Sequence, residues 1–176
     1  MRVGVISDIH SNLPALETVL ADMPDVDHIV CAGDVVGYNP WPAECVETIR
    51  ERNIPCVQGN HDRKVAQGTT FVHNPMARAG VSLATSALSE GAIHWLRELP
   101  HERRLLDDRL TIVHGHPDDP DRYTYPTEYT PEMLRGEDIL VMGHTHVQHV
   151  ERFQEGIVMN PGSVGQPRDG DPRAAY

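Results

Sequence analysis

Residues that commonly bind metals follow five separate apolar runs of the sequence. They are Asp8 and His10, Asp34, Asn60, His114, and His144 with His146. Carboxylate oxygen, amide oxygen and neutral imidazole suit first-row divalent metals, and no thiolate is offered. Each of these residues alone has an ordinary explanation, such as a helix cap or a turn. Their recurrence after five apolar runs instead predicts a shared metal site.

The number of candidate ligands indicates how many ions such a site would hold. Seven ligands exceed what one tetrahedral ion takes, whereas two ions sharing a bridging carboxylate, with Asp34 as the expected bridge, would use them all. Both members of the pairs Asp8/His10 and His144/His146 would point the same way from extended backbone. Two ions roughly 3.5–4 Å apart can hold the attacking and leaving oxygens of a phosphoryl displacement and lower the pKa of a water between them. The pattern therefore predicts metal-assisted hydrolysis of a phosphoester.

Alternating strand and helix patterns in the first half of the chain would bring these residues together. Strands are predicted over residues 2–7, 28–32 and 54–58, and helices from Asn12 onward and over 42–52, 75–87 and 90–99. The second half favours hairpins of 103–106 with 110–114 and of 148–153 with 157–159, a strand over 139–142 and a short helix near 132–135. The carboxyl ends of strands form the ligand crevice of an α/β sheet, so five strand ends are expected to build one site.

Length, composition and charge limit the classes of protein that fit. A chain of 176 residues, 39% of them apolar, is expected to form a single domain over residues 1–176. It shows no apolar run long enough to span a membrane and no signal peptide. The net charge of −11 argues against stable binding to nucleic acid or to an anionic membrane. Three cysteines in apolar or helical segments are typical of a reducing compartment, so we expect a cytoplasmic protein.

The order of these residues resembles that of the calcineurin-like metallophosphoesterases. The matching blocks are Asp8-Ile9-His10, Gly33-Asp34, Gly59-Asn60-His61-Asp62, His114 and Gly143-His144-Thr145-His146. The likeness covers nearly the whole chain and is greatest for small single-domain prokaryotic phosphodiesterases, which residues 160–163 also resemble. It implies an α/β fold, a four-layer αββα sandwich of two mixed β-sheets flanked by helices. Because the family usually continues into further strands, the C-terminal edge of this chain could be truncated.

The resemblance also implies a role for each block. One ion would be held by Asp8, His10, Asp34 and His146, and the other by Asp34, Asn60, His114 and His144. His61 would act on the leaving group as a general acid, and Asp62 would orient it. A metal-bridging hydroxide would be the nucleophile of this binuclear centre. Such enzymes often use Mn, Fe, Zn or Ni, and we favour Mn for a cytoplasmic member.

Residues that flank the blocks are candidates for contact with a phosphate. They are Asn12, Tyr38, Arg63, His116 and Arg168. His116 stands where some small relatives carry Ser, so substrate contacts there are expected to differ. A small phosphoester is the expected partner. An apolar helical face near residues 81–88 could also support a homo-oligomer.

Two classes of function are compatible with the sequence. The first is an enzyme that hydrolyses a phosphodiester or a phosphomonoester, with dinucleoside polyphosphates and cyclic nucleotides among the candidate substrates. The second is a catalytically silent metal-binding scaffold of the same fold, as found in the retromer complex. A scaffold loses ligands or the His of the Asn-His-Asp block, whereas this chain keeps all seven ligands and His61. The sequence therefore favours the enzyme and leaves its substrate open.

Overall fold

The computed structural model describes all 176 residues and contains two sheets and five α-helices. The strands are β1 (Val3–Ile6), β2 (His28–Cys31), β3 (Glu102–Leu105), β4 (Leu110–Val113), β5 (Ile139–Val141), β6 (His149–Arg152) and β7 (Ile157–Asn160). The helices are α1 (Leu13–Asp22), α2 (Pro42–Glu51), α3 (Asn60–Ala66), α4 (Pro75–Ala87) and α5 (Glu90–Glu98). A 3-10 turn, Pro131–Met133, stands where a short helix near 132–135 was expected, and a second one, Pro126–Glu128, lies in the loop before it.

The smaller sheet consists of β1 and β2, which run parallel with Val3 opposite His28. The predicted third strand over 54–58 joins it only through one parallel bridge between Cys31 and Cys56. Pro55 has no N–H to donate to a ladder, and the backbone N–H of Gln58 donates to Pro100 instead. The prediction of a full third strand is therefore wrong, and this sheet is parallel throughout.

The larger sheet is mixed and has the strand order β3-β4-β5-β7-β6. Its three central strands, β4, β5 and β7, run parallel to one another. The edge strands β3 and β6 are each paired antiparallel with the neighbouring strand that follows them in the chain. Both predicted hairpins are thereby confirmed. The parallel centre directs the carboxyl ends of β4 and β5 toward the same edge of the sheet.

Alternate residues of the short strands pack on opposite faces of the smaller sheet. Ile6 and Cys31 belong to a core of 21 buried residues to which all five helices contribute. Val5 and Val30 face the other way and pack with residues of β4 and β5 between the two sheets. The outer face of the larger sheet is covered by the 3-10 segments, with Met133 among its buried side chains. The two-sheet α/β class is confirmed, and the second outer layer of the sandwich is made of 3-10 turns.

Side chains at the helix starts explain where three of the helices begin. Asn12, Asn74 and Ser89 each accept the backbone N–H three residues further on, which satisfies one of the free donors of the first turn. Helix α3 was not among the predicted helices, and a turn was only the ordinary alternative for its first residues. The Asp62 carboxylate accepts the Gly59 N–H at its start, and Val65 and Ala66 are buried in the main core.

The apolar face of α4 does not remain available for a second copy of the chain. Val81, Ala84 and Leu88 are all buried in the main core, so a homo-oligomer, which stays a prediction, would have to use other side chains. None of the helices combines the length and the apolar character needed to cross a membrane.

A pair of leucines gives a test of the core. Leu96 of α5 is fully buried, whereas Leu83 of α4 is 42% exposed. We expect Leu96→Ala to lower the free energy of unfolding by about 2–5 kcal/mol, because it leaves a cavity. The control Leu83→Ala should change that free energy by less than about 0.5 kcal/mol. Urea unfolding of both variants measures the difference, and equal losses would contradict this assignment of the core.

Candidate metal centre

The seven candidate ligands converge where the loops after β1, β2, β4 and β5 meet the first turn of α3. All seven side chains are buried, with none more than 8% exposed. Five of them have a positive backbone φ, namely Asp8, His10, Asp34, His144 and His146. The paired ligands therefore lie in left-handed turns, and the expectation of extended backbone at these pairs is wrong. Such strained residues cluster at functional sites.

One group of ligand atoms consists of Asp8, His10 and His146. The Nε2 atoms of His10 and His146 are 3.1 Å apart. The Asp8 Oδ1 atom lies 3.1 Å from His146 Nε2 and 3.7 Å from His10 Nε2. The His10 Nε2 atom is also 3.7 Å from Asp34 Oδ2. Four side chains thus direct electron-rich atoms at one small volume.

A second group consists of Asp34, His114 and His144. The His114 Nε2 atom lies 3.3 Å from Asp34 Oδ2 and 3.2 Å from Asn60 Oδ1. The same Asp34 oxygen is therefore close to both groups. This is the position that a carboxylate shared between two ions would need.

The hydrogen bonds outside the two groups show that the site suits cations. The Nδ1 atoms of His10, His114 and His146 bond to the backbone carbonyls of residues 36, 32 and 166, at 3.2, 2.7 and 2.6 Å. A carbonyl only accepts, so each Nδ1 carries a proton, and each ring in its neutral form presents an Nε2 lone pair inward. The buried Asp8 Oδ1 atom has no hydrogen-bond partner at all. Lone pairs this close repel one another unless a cation lies among them, so the residues fit divalent metals.

The charges of the site shift the pKa values of its acidic and basic groups. Burial raises the pKa of Asp34, but the His114 and His61 imidazoles lower it more, and the net pKa lies well below its ordinary value. Burial lowers the pKa of His114, but Asp34 raises it to about 10. Burial, with His114 next, lowers the pKa of His144 to about 4. In the metal-free protein the proton of His114 thus partly replaces a metal's charge beside Asp34.

Polar side chains outside the groups hold the ligand loops in place. The Ser7 hydroxyl and the His144 N–H both donate to Asp8 Oδ2, at 2.6 and 3.0 Å. The Asn160 amide donates to Gly143 O at 2.6 Å and to the Thr145 hydroxyl at 3.1 Å. A Cβ atom on Gly143 would overlap the Ser7 hydroxyl, so only glycine allows this approach. These contacts orient the ligands as outer hydrogen bonds do at metal sites.

His61 is buried beside the ligands but is not held as they are. Its ring centroid lies 4.6 Å from that of His10, 4.8 Å from Tyr38 and 4.5 Å from Phe71. Its Nδ1 atom has no hydrogen-bond partner. Burial lowers the pKa of His61 below its ordinary value, although Asp34 raises it. A buried, packed imidazole with a free nitrogen is suited to proton transfer.

Asp62 makes different contacts from those expected. Its carboxylate accepts the backbone N–H groups of Asp34, Val36 and Gly59, at 2.9, 3.1 and 3.0 Å, and makes no hydrogen bond to the His61 ring. The interpretation that Asp62 orients His61 is therefore wrong. Burial raises the pKa of Asp62 to about 7, against the lowering by the Gly59 and Val36 amides. Its structural effect is to fix the loop that carries Asp34 against the start of α3.

The five candidate substrate contacts have different surroundings. Asn12 caps α1 and donates to Gly165 O, so both ends of its amide have structural partners. Arg63 forms an ion pair with Asp121, and His116 Nδ1 accepts the N–H of a neighbour in its own loop. Arg168 is exposed and its Nη2 donates to the Tyr38 hydroxyl at 3.2 Å. Arg168 and Tyr38 lie beside the ligands: the Arg168 N–H donates to His146 O, and the Tyr38 ring packs edge-on against His10.

Sequence reasoning missed two aromatic residues at the site, Phe71 beside His61 and Tyr123 beside His144. The Tyr123 ring stacks on the ligand His144, with the ring centroids 3.8 Å apart and the planes at 25°. The Pro- and Asp-rich loop that carries Tyr123 gave no sign in the sequence that this ring would contact His144, which follows β5. Asn160 was noted only as part of a resemblance, because its contact with residue 143 lies 17 residues away in sequence.

Comparison with known proteins agrees with this geometry. The family of the calcineurin-like phosphoesterase superfamily domain matches residues 1–176, and the chain belongs to it. It is 31% identical over 189 residues to the phosphodiesterase YfcE of Escherichia coli K12, covering the whole of this chain and 85% of that protein. An uncharacterised Methanocaldococcus jannaschii protein is 33% identical over 196 residues, 99% of this chain and 80% of its own.

A solved structure is also similar along nearly the whole chain. The crystal structure of a metallophosphoesterase from Sphaerobacter thermophilus superposes with a TM-score of 0.82 at 37% identity, covering 99% of this chain and 81% of that one. The predicted family and fold are thereby confirmed. Membership indicates a phosphoesterase hydrolase that uses divalent metal ions.

The bracing by Asn160 can be tested through metal affinity. We expect Asn160→Ala to weaken Mn²⁺ binding by about 10–100-fold, because residues 143–145 lose their outer hydrogen bonds. Ser89→Ala removes a helix cap away from the site and should cost about 1 kcal/mol of stability with no change in metal affinity. Calorimetric titration of metal-stripped protein measures both. Unchanged affinity in the Asn160 variant would contradict the bracing role.

Proposed function

We propose that this chain hydrolyses a small phosphodiester at a centre of two divalent cations. The observation that carries the proposal is the convergence of buried carboxylates and imidazoles in two groups that both lie close to Asp34. Likeness to a phosphodiesterase over the whole chain supports the diester over the monoester. Mn is the favoured metal, with Fe, Zn or Ni as the other candidates.

The ligands divide between the two ions by their contacts. Asp8, His10, Asp34 and His146 would hold one ion, and Asp34, Asn60, His114 and His144 would hold the other. When bound, the ions would supply positive charge to the phosphoester oxygens and lower the pKa of a water placed as nucleophile. The carbonyls that accept from the Nδ1 atoms keep the imidazoles of His10, His114 and His146 in the tautomer that ligation through Nε2 needs.

His61 is the residue we assign to protonation of the leaving oxygen. Tyr38 and Phe71 pack against its ring and limit its rotation. Burial keeps its pKa low in the free protein, and an anionic phosphoester beside the ring would favour the protonated form. The packed position thus couples substrate binding to the charge state that donation requires.

The silent scaffold is the second candidate, and the intact site argues against it. Every predicted ligand is buried in the cluster, and His61 lies among them.

Dinucleoside polyphosphates remain alternative substrates within the enzyme class. A small phosphoester is the proposed partner. A nucleic acid is disfavoured because Asp and Glu outnumber Lys and Arg by 26 to 15, and a net negative charge repels its phosphates. Three buried free cysteines support the proposal of a cytoplasmic location.

Hydrolysis of bis-p-nitrophenyl phosphate and p-nitrophenyl phosphate, side by side, tests the activity. The protein would be stripped of metal and reloaded with Mn²⁺. We expect metal-dependent turnover with preference for the diester. His61→Ala should retain metal and lose about 10²–10⁴-fold in kcat. Turnover that survives this substitution would remove His61 from the mechanism, and no turnover in loaded wild-type protein would favour the scaffold.

The shared carboxylate gives a separate test. Asp34→Ala should lower the bound metal below two ions per chain and abolish turnover, because both groups lose a ligand. Metal content by elemental analysis and the diester assay measure the two effects. Asp27→Ala, an exposed acidic residue near the N-terminus, is the matched control and should change neither. Full activity in the Asp34 variant would contradict a two-ion centre.

A further inference from the structure

Two exposed tyrosines extend outward from the metal centre, the first of them in contact with a ligand residue. The Tyr123 ring stacks on His144, and the Tyr125 ring lies 6.4 Å from that of Tyr123 with the planes at only 16°. Tyr123 is 46% exposed and Tyr125 is 48% exposed. Near-parallel rings open to solvent provide flat apolar surface, and that surface begins at a ligand residue.

The backbone holds both rings on one side of the loop. Thr124 between them is buried, as expected of an extended segment in which alternate side chains point to opposite sides. The Tyr125 N–H donates to Glu128 Oε2 at 2.8 Å, and its carbonyl accepts the Glu128 N–H at 2.8 Å. The Tyr125 end of this segment is therefore held by two hydrogen bonds to Glu128.

The charges around the rings suit an anionic ligand despite the acidic sequence. Three acidic residues of this loop are neutralised by arginines, in the pairs Arg63–Asp121, Arg135–Asp118 and Arg122–Glu128. Arg168 adds an exposed positive charge beside Tyr38. A phosphate bound at the metal centre would thus have Arg168 within the same site and the tyrosines beside it.

We propose that Tyr123 and Tyr125 form an aromatic platform that stacks a planar aromatic group of the phosphoester, in nature a nucleobase. A nucleotide carries its base one sugar away from the phosphate, and the platform starts at His144, which would hold the metal. Stacking of a base on an aromatic side chain is tolerant of base identity, because every base has a flat face. The platform therefore selects nucleotide esters as a class, and this inference rests on the proposed function for the phosphate end.

Binding of AMP and of ribose 5-phosphate to the Mn²⁺-loaded protein tests the platform. Both ligands present the same phosphate and sugar, so their affinity ratio isolates the base. Calorimetry in a His61→Ala background prevents hydrolysis from adding heat. We expect AMP to bind about 5–100-fold more tightly than ribose 5-phosphate. Tyr123→Ala and Tyr125→Ala should each reduce that ratio, whereas Tyr123→Phe, which keeps the ring, should preserve it.

The outcomes separate the platform from the hydrolytic activity. Equal affinities for AMP and ribose 5-phosphate before any tyrosine is changed would overturn the platform, even if diester hydrolysis is found. An AMP preference that persists in both alanine variants would also overturn it. A preference that these variants abolish would support the platform even if the wild-type protein proves unable to hydrolyse diesters. The affinity for ribose 5-phosphate in each variant reports whether the metal centre is intact.

Discussion

Seven electron-rich side chains are buried together at the strand ends, and the rest of the structure must accommodate them. The Nε2 atoms of His10 and His146 face each other at 3.1 Å, and Asp8 Oδ1 has no partner. Burying unpaired polar atoms is costly, and the positive φ of five ligands adds roughly 1–3 kcal/mol each. The surrounding fold must therefore hold this arrangement in place, and a bound cation would stabilise it further.

The fold meets this demand with backbone hydrogen bonds. Carbonyls at the ends of the loops fix the imidazole tautomers, Ser163 donates to Asp8 O at 2.7 Å, and Asp62 ties three backbone N–H groups together. The strands themselves are only three or four residues long. Their length is sufficient because packing of Ile6 and Val5 on opposite faces joins the sheet to both cores. Ile6 and Val5 therefore stabilise the fold and also fix the end of the strand that carries Asp8.

The sequence predicted what depends on local pattern. The hairpins and the ligand residues at the strand ends can all be read from runs of neighbouring residues. The structure confirms both hairpins and brings the ligand residues together. Helix α3, the role of Asp62 and the stacking of Tyr123 on His144 depend on residues that approach from 21 or more positions away in sequence. The left-handed turns were not predicted for another reason: Asp and His adopt positive φ more readily than most residues, so no glycine marks these positions in the sequence. Tertiary contacts determine the other three features.

The site is held by two kinds of interaction that differ in strength. The ligand loops rest on buried hydrogen bonds, which are costly to break without a replacement partner. The loop that carries Tyr123 depends partly on exposed ion pairs, such as Arg122–Glu128, which are typically worth only about 0–1 kcal/mol and weaken with salt. Movement near the substrate is therefore easier than movement of the ligands. One face of the cleft can adjust to a bound molecule while the atoms that would hold the metals keep their positions.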